Sequence, residues 1–186
     1  MSDVVRCWES ADPAYNVYHD EEWGRPVRDE RGIYERLCLE GFQSGLSWLT
    51  ILRKRESFRA AFAGFDPEAV ARFGERDVAR LLADAGIVRH RGKIEAAIAN
   101  ARATLALREA GTALEELVWE YRVDGAAPTT WVPQTAGSVE LSKRLRAVGF
   151  RFVGPTTVYA AMQACGVVND HLAACHVRDA VEQERG

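Results

Sequence analysis

The stretch from Gly149 to Cys175 constrains the fold more than any other part of the chain. It opens with Gly-Phe-Arg-Phe-Val-Gly-Pro-Thr-Thr, in which two glycines lie five residues apart, and residues 156–165 then follow a helical pattern. Glycine allows a positive φ and a close backbone approach, and the free N–H groups at a helix N-terminus suit a phosphate. Although such a turn is often only a connection, this one predicts a hairpin between helices that contacts an anion.

Two His/Cys pairs, one near each end of the chain, form the second constraint. His171 and Cys175 are four residues apart and share one face if this segment is helical. Cys7 and His19 form the other pair. One such pair is more often packing than ligation, but the four side chains have the donor set of a closed, structural zinc site. This site would tie the termini together, with His176 as an alternative ligand.

The charge balance limits how the chain could bind nucleic acid. Its 186 residues suit one domain with a sizeable core, and 24 Lys and Arg against 27 Asp and Glu give a net charge of −3. That balance argues against a protein that coats nucleic acid by bulk charge. Three local basic clusters nevertheless favour a phosphate-tracking face. They are Arg53, Lys54, Arg55 and Arg59; Arg89, His90, Arg91 and Lys93; and Lys143, Arg144, Arg146 and Arg151.

Helix-start signals and apolar repeats predict an all-α fold. Asp12-Pro13 and Asp66-Pro67 combine a capping side chain with a proline in the first turn, and Ser47 and Asp77 are further N-cap candidates. Apolar residues recur at helical spacing in several segments, and no alternating strand pattern of useful length occurs.

Two segments lack a clear pattern. Residues 122–137 are rich in Ala, Pro, Thr and Gly, which predicts a long loop that Trp131 packs down. The tail after Cys175 is charged, and we expect it to fray.

The compartment follows from the N-terminus and the cysteines. The first ten residues contain no apolar export signal, and no run approaches the ~18 apolar residues of a membrane span. We therefore expect a cytoplasmic protein, in which cysteines are metal ligands or buried apolar residues and not disulfides. Cys38 and Cys165 lie in apolar helical patterns, which favours burial for both.

Polar and aromatic residues in the first third leave two interpretations open. Glu40 lies among apolar neighbours near the end of a helical run, so it is either a solvated helix residue or a buried acceptor. Tyr15 and Tyr18, three residues apart, would by default be half-buried core residues with solvent-exposed hydroxyl groups.

Five blocks in order carry a family resemblance. They are RCW (6–8), YNVYHDEEWG (15–24), CLEGFQSGLSWLTILRKRESFR (38–59), DAGIVRHRGKIEAAIANARA (84–103) and GFRFVGPTTVYAAMQACGVVNDH (149–171). Together they closely resemble the bacterial 3-methyladenine DNA glycosylase I family. The resemblance covers nearly the whole chain, except for the first few residues and the tail.

The resemblance implies a helix-hairpin-helix DNA glycosylase fold acting on alkylated duplex DNA. A protein that scans DNA through one hairpin needs no partner, so we expect a monomer. The two helix-start blocks and the long middle helix suggest a single domain of two helical lobes: the central helices of about 30–147 with the hairpin at 149–157, and a zinc-tied part formed by residues 1–28 and 166–180. The implied DNA contacts of the hairpin are Gly149, Val153, Gly154, Pro155, Thr156 and Thr157. Such contacts grip phosphate without reading sequence.

The resemblance also assigns a base pocket and the chemistry of base excision. Glu40 would accept hydrogen bonds from the adenine edge, Trp48 would stack on the ring, and Tyr18 would complete the polar contacts. Three further residues match family positions in or around this pocket: Trp8, Tyr15 and Trp23. The lesion base must leave the DNA stack to reach it. 3-Methyladenine is cationic while attached to the sugar, so the bond is already weak and needs only modest help.

Three positions depart from patterns in the wider group. Thr156 occupies the place of the lysine that attacks the sugar in bifunctional members, so lyase chemistry is not expected. Asn169 stands where others carry a catalytic aspartate, as is usual in the family that this chain resembles. Cys7 and Trp8 are adjacent where an intervening residue is expected, which affects the aim of Trp8 more than Cys7 as a ligand.

Two other function classes compete with the glycosylase. A zinc-stabilised helical DNA-binding module without catalysis would also lack the aspartate, and it predicts a solvated Glu40. A zinc hydrolase or deaminase is disfavoured because four protein ligands leave no metal position for water.

Overall fold

Helices account for nearly all of the regular structure in the computed structural model, which describes residues 4–125, 128 and 130–186. The α-helices are α1 (Pro13–Glu21), α2 (Glu30–Gln43), α3 (Trp48–Ala61), α4 (Pro67–Ala71), α5 (Glu75–Ala83), α6 (Arg91–Glu109), α7 (Leu114–Trp119), α8 (Ala136–Ala147), α9 (Pro155–Ala164) and α10 (Arg178–Arg185), with a 3₁₀ turn at Ala63–Phe65. Across these described ranges, β structure is confined to one bridge between Val123 and Val168. The all-α prediction is confirmed.

Local capping signals start the helices largely as the sequence predicts. The side chains of Asp12, Ser47 and Asp66 each accept a hydrogen bond from a backbone N–H in the first turn of α1, α3 and α4. Asp77 is not an N-cap, because α5 begins two residues earlier, after Gly74. Instead, Asp77 lies in the first turn and accepts from the Gly74 N–H at 3.1 Å.

Helix α2 lies at the centre of the fold and packs against α3, α6, α7 and α9. Its apolar side bears Tyr34 and Phe42, both almost completely buried. The Phe42 ring lies 4.6 Å from that of Phe58 on α3, and the Tyr34 hydroxyl donates to the Ala97 carbonyl of α6 at 2.9 Å. Because α2 is surrounded on several sides, side chains near its C-terminal end are placed in the interior.

Two glycines allow the N- and C-terminal segments to cross closely. Gly24 and Gly166 both have positive φ, of 83° and 72°. A Cβ atom on Gly166 would lie 2.5 Å from the Gly24 carbonyl oxygen, and one on Gly24 would lie 2.9 Å from Nε2 of His171. Any larger residue at either position would push the two segments apart.

The expectation of a frayed C-terminal tail is wrong. Residues 178–185 form α10, in which Val181 is fully buried and Arg185 is 1% exposed. Arg185 donates to the carbonyls of Gly166, Val167 and Val123 at 2.7–3.0 Å, and it also pairs with Glu182. The arginine fixes the tail because its donors satisfy buried backbone acceptors.

The segment predicted as a loop at 122–137 is irregular wherever the structure describes it, except that α8 already begins at Ala136. The indole N–H of Trp131 donates to the Asp170 carbonyl at 3.1 Å and anchors this segment. The part of the prediction that falls on residues 126, 127 and 129 lies outside the described residues. None of the described helices has the length and apolar character needed to cross a membrane.

Candidate base-binding and metal site

A cavity of about 290 Å³ opens between the N-terminal segment, α2, α3 and α9. All six side chains assigned to the pocket line it: Trp8, Tyr15, Tyr18, Trp23, Glu40 and Trp48. Small-molecule pockets begin at roughly 300 Å³, so this cavity suits a compact planar ligand. The residues converge from four separate stretches of the chain.

Glu40 is a buried residue in the wall of this cavity. The residue is 6% exposed, and no described side chain donates a hydrogen bond to its carboxylate. Burial raises the pKa of Glu40 to about 8, although Arg36 one turn earlier acts in the opposite direction. Of the two sequence interpretations, the structure matches the buried acceptor. A carboxyl group of this kind is an acceptor for a cationic or hydrogen-bond-donating ligand.

Aromatic rings form most of the cavity wall. The Trp48 ring lies 5.3 Å from that of Tyr18, and the Trp8 ring lies 5.2 Å from Tyr15 and 4.9 Å from Trp23. Trp8 thus reaches the cavity although it directly follows Cys7. Burial and the nearby Glu40 raise the pKa of Tyr18, so its hydroxyl stays protonated and can donate. The wall can therefore stack on a planar ring and offer polar contacts.

Sequence reasoning missed five residues of the cavity wall. They are Gln43, Trp131, Val132, Ala160 and Gln163. Ala160 and Gln163 share a face of α9 with Thr156, at offsets of four and seven, and this helical pattern was the available signal. Trp131 and Val132 come from the irregular segment before α8, and no local pattern points to them.

Gln163 belongs to a small polar network. Its side-chain N–H donates to Oδ2 of Asp170 at 2.7 Å, and the Tyr159 hydroxyl donates to the same oxygen at 2.6 Å. Because Oδ2 of Asp170 accepts both hydrogen bonds, the amide nitrogen of Gln163 faces Asp170. The amide oxygen has no hydrogen-bond partner among the described residues, and Gln163 lines the cavity.

The predicted hairpin joins α8 to α9. Gly149 has a φ of 104° and Phe152 a φ of 54°, and α9 begins at Pro155, one residue before the predicted start. Gly154 is the N-cap and supplies no capping side chain, so the first N–H groups of α9 are open to another acceptor. Ser142 braces the turn by donating to the Val153 carbonyl at 2.6 Å.

The hairpin lies next to the aromatic cavity. A second cavity of about 290 Å³ is lined by Glu40 and Gln43 on one side and by Thr156 and Thr157, at the N-terminus of α9, on the other. Leu46, between α2 and α3, lies on its rim and is 42% exposed. A ligand held by the α9 N-terminus would therefore lie beside the opening to Glu40.

Cys7, His19, His171 and Cys175 converge into one cluster, with one ligand atom of each within 4.8 Å of the others. Nδ1 of His171 lies 3.4 Å from the Cys7 sulfur and 3.3 Å from the Cys175 sulfur. Nε2 of His19 lies 3.5 Å from the Cys175 sulfur. The segment from His171 to Cys175 is a turn and not the helix considered from its spacing, yet it brings both side chains to the cluster.

The chemistry of this cluster fits a zinc ion. Two sulfur and two nitrogen donors form the tetrahedral set that zinc prefers. Burial lowers the pKa of His171 to about 4, so its imidazole is neutral and can donate a lone pair. Burial raises the pKa of Cys7 to about 12, so a bound cation is needed to keep Cys7 as a thiolate. His176 lies outside the cluster and contacts Asp20 at 2.9 Å instead.

Groups around the cluster fix its imidazole rings. Oδ1 of Asp20 lies 2.8 Å from Nδ1 of His19, which directs Nε2 of that ring towards the cluster. Asp20 is held in turn by Arg6, with contacts of 2.7–3.0 Å. Nε2 of His171 lies 2.9 Å from the carbonyl of Trp23, a residue of the cavity wall. The cluster therefore lies directly behind the aromatic wall.

Basic residues of all three clusters form ion pairs within the protein. Arg53 pairs with Asp12, Arg91 pairs with Glu75, and Arg144 pairs with Glu120. Ion pairs of this kind reduce the free positive charge on the surface. The expected phosphate-tracking face is therefore weaker than the sequence indicates, and backbone N–H groups of the hairpin gain importance.

Asn169 does not lie in the cavity wall. Its amide N–H groups donate to the Arg178 carbonyl at 3.2 Å and to Glu182 at 2.7 Å, and its oxygen accepts from the His171 N–H at 3.3 Å. These contacts join α10 to the cluster segment. In this structure the residue connects structural elements.

Comparisons with known proteins agree with this geometry. A family model described as methyladenine glycosylase matches residues 8–179. DNA-3-methyladenine glycosylase 1 of Escherichia coli (strain K12) is 50% identical over 179 residues, spanning 92% of this chain and 96% of that protein.

Solved structures give the same result. A crystal structure of 3-methyladenine DNA glycosylase I has a TM-score of 0.88 at 49% identity, covering 92% of this chain and 98% of the other. A variant of 3-methyladenine DNA glycosylase I in complex with 3-methyladenine has a TM-score of 0.87 at 35% identity, covering 91% and 94%. From the family match and the identity over almost its whole length, the chain belongs to the methyladenine glycosylase family.

Proposed function

We propose that this protein is a monofunctional DNA glycosylase that hydrolyses the N-glycosidic bond of 3-methyladenine in alkylated duplex DNA and leaves an abasic site. The observation that carries the proposal is the buried Glu40 carboxyl in an aromatic cavity of about 290 Å³. The family membership and the relative crystallised with 3-methyladenine support the same substrate. The reaction is the first step of base-excision repair.

The chemistry of the lesion explains why a pocket without a catalytic aspartate suffices. The 3-methylated adenine is cationic on the sugar and leaves as a neutral base, so bond cleavage needs little acid catalysis. Water then attacks an oxocarbenium-like sugar. The protein has to extract the nucleotide from the stack and hold it in a reactive orientation, for which positioning is the main contribution.

Three residues have distinct roles in this pocket. Trp48 stacks on the electron-poor ring, and a cation over an aromatic face gains ~0.5–2 kcal/mol. Glu40 accepts hydrogen bonds from the adenine edge, and the positive charge of the bound lesion favours its ionised form. The protonated Tyr18 hydroxyl completes the polar contacts. Trp8, Tyr15 and Trp23 close the remaining wall.

The hairpin between α8 and α9 is the proposed DNA-binding element. The uncapped N-terminus of α9 supports this role, because its backbone N–H groups can bind a phosphate. The contacting residues are Gly149, Val153, Gly154, Pro155, Thr156 and Thr157. This grip is independent of base sequence, which suits an enzyme that searches for rare lesions.

Lyase activity is not part of the proposal. Thr156 stands where bifunctional relatives carry the attacking lysine, and a hydroxyl group cannot form a Schiff base with the sugar. The buried Lys93 is bound to backbone carbonyls and does not line the base cavity.

We further propose that Cys7, His19, His171 and Cys175 hold one structural zinc ion. With four protein ligands there is no open position, so the ion supplies stability and no chemistry. It would join the zinc-tied part, residues 1–28 and 166–180, to the helices of about 30–147 within a single domain. Such a domain can act as a monomer, and its work on genomic DNA requires a cytoplasmic location in a bacterial cell.

A zinc-stabilised DNA-binding module is the alternative. It predicts a solvated Glu40, whereas the observed residue is 6% exposed and lies in a cavity. A buried, ionised carboxyl group without a hydrogen-bond donor lowers the stability of the fold by several kcal/mol. A pure binding module would have no reason to retain such a group.

The proposal is tested by release of free base from methylated duplex DNA, resolved by chromatography. The same reaction is examined for strand breakage without added alkali. We expect release of 3-methyladenine with intact strands, strong reduction in Glu40→Gln, and no change in Glu56→Gln, whose carboxylate is 80% exposed. DNA binding without release would assign the protein to the binding class, and strand breakage would contradict the monofunctional mechanism.

A further inference from the structure

Two segments of the proposed DNA-binding side attach to the same helix. The rim segment, residues 43–47, joins α2 to α3 and lines the opening to Glu40. The hairpin, residues 149–157, joins α8 to α9 and includes the first turn of α9. The two segments are far apart in sequence, yet each is tied to α6 by one buried polar side chain.

Lys93 holds the rim segment. It is 8% exposed, and its ammonium group donates to the carbonyls of Phe42 at 2.9 Å and Ser44 at 2.6 Å. The last carbonyls of an α-helix have no partner within the helix, and a cation there is favourable. Lys93 thus fixes the end of α2 at the residues that follow Glu40 and lead to Trp48.

Asn100 holds the hairpin. It is 2% exposed, its Oδ1 accepts from the Arg151 N–H at 2.7 Å, and its Nδ2 donates to the Arg151 carbonyl at 3.2 Å. The next residue, Phe152, has a φ of 54°, which a bulky residue adopts only when its surroundings enforce it. The paired bonds to Arg151 fix the backbone directly before this strained residue.

The spacing of the two side chains places both on one face of α6. Positions 93 and 100 are seven residues apart, so they lie on the same face of α6, separated by about 10 Å along its axis. Between them the three segments meet, because Gly41 of α2 packs against Phe152, where a Cβ atom would be in van der Waals contact at 3.4 Å. Helix α6 therefore sets how far the hairpin lies from the rim of the base cavity.

We propose that Lys93 and Asn100 are positioning residues that hold the rim segment and the hairpin on one face of α6. They thereby fix the distance between the base cavity and the DNA-binding hairpin. The inference rests on the proposed function. Neither residue touches the base, because neither lines the base cavity.

The test uses Asn100→Leu and Lys93→Met in the full-length, zinc-loaded protein. Three quantities are measured: affinity for undamaged duplex DNA, affinity for free 3-methyladenine, and the single-turnover rate of base release. Asn100→Leu should weaken undamaged-duplex binding by about tenfold, the equivalent of ~1.4 kcal/mol, and leave free-base affinity unchanged. Lys93→Met should lower free-base affinity and the release rate by about tenfold with little change in duplex affinity.

Two further variants separate positioning from simple stabilisation. Asn100→Asp keeps the acceptor for the Arg151 N–H and should restore part of the duplex affinity. Leu107→Ala removes a buried side chain further along α6 and should lower the melting temperature without changing either affinity. If the Asn100 and Lys93 variants behave like Leu107→Ala, or if each alters both affinities equally, the positioning role is wrong. Wild-type protein that binds DNA but releases no base would refute the proposed function and leave the two affinity tests interpretable.

Discussion

Glu40 combines two properties that normally oppose each other, since it is ionisable and almost completely buried. Burial raises its pKa to about 8, so the empty cavity holds a neutral acid near neutral pH. A cationic base would reverse this preference, because an opposite charge at close range favours the ionised form. Under the proposed function, Glu40 therefore couples the charge of the pocket to the charge of the lesion.

Glu40→Gln should stabilise the protein, and increasingly so as the pH rises. In the unfolded chain the carboxyl group ionises near ~4.3, whereas in the folded protein it stays protonated up to about 8. Between these values the wild type loses up to ~1.4 kcal/mol of stability per pH unit, and the glutamine variant does not. Urea unfolding at pH 4, 6 and 8 measures the difference, with Glu56→Gln as a control. A difference that stays constant with pH would contradict the raised pKa.

The same substitution should reduce catalysis more than DNA binding. Glutamine keeps the size of the side chain but removes the negative charge that favours a cationic base. For the wild type, kcat/KM should rise with pH through about 8 as the free carboxyl group ionises. For Glu40→Gln it should be low and flat, with duplex affinity unchanged. Equal losses of activity and DNA affinity would instead indicate a structural role.

Only part of the cavity could be predicted at the level of residues. Trp48 and Glu40 lie in long blocks of family resemblance, so their positions could be carried over. Gln163 could have been found from its helical offset to Thr156. Trp131 could not, because its place in the wall depends on an irregular segment and on a hydrogen bond to the Asp170 carbonyl.

At the level of elements, α10 shows where composition misleads. The residues after Cys175 are mostly charged, which is typical of a solvated tail. Val177, Val181 and Arg185 nevertheless recur at intervals of four and form the buried face of this segment. The arginine fits an apolar face because the crossing chains supply carbonyl oxygens to its guanidinium group, and those carbonyls come from distant parts of the sequence.

Arg185→Met should destabilise the protein by ~2–4 kcal/mol, since three buried carbonyls lose their donor. Methionine retains much of the volume, so the loss reports the hydrogen bonds more than the packing. Thermal and urea unfolding measure it, and Gln183→Ala, on the exposed side of α10, is the control. Wild-type stability in Arg185→Met would restore the frayed-tail interpretation.

At the level of the whole molecule, the ends of the chain meet behind the base cavity. The cluster of Cys7, His19, His171 and Cys175 joins residues near both termini, and Nε2 of His171 contacts the backbone of Trp23 in the cavity wall. The His and Cys spacing predicted that these ends approach each other. The glycine crossing at Gly24 and Gly166 was not predicted, because a glycine needed for close approach looks the same in sequence as one in an ordinary turn.

Cys175→Ser should lower zinc content and stability together. Zinc is measured by elemental analysis of the purified protein and stability by thermal unfolding with and without a chelator. The matched control is Cys165→Ala, which changes a buried free cysteine outside the cluster and should retain one zinc per chain. Unchanged zinc stoichiometry in Cys175→Ser would remove this residue from the metal site.

Binding of free 3-methyladenine is the most direct test of the base cavity, and it is measured by calorimetric titration into the zinc-loaded protein. One base should bind per chain in a saturable manner. Glu40→Ala, which removes the hydrogen-bond acceptor, and Trp48→Leu, which removes the stacking face, should each weaken that binding strongly. The exposed control Glu56→Gln should bind like the wild type. Absence of saturable binding, or binding that the Glu40 and Trp48 variants leave unchanged, would show that this cavity does not recognise the damaged base.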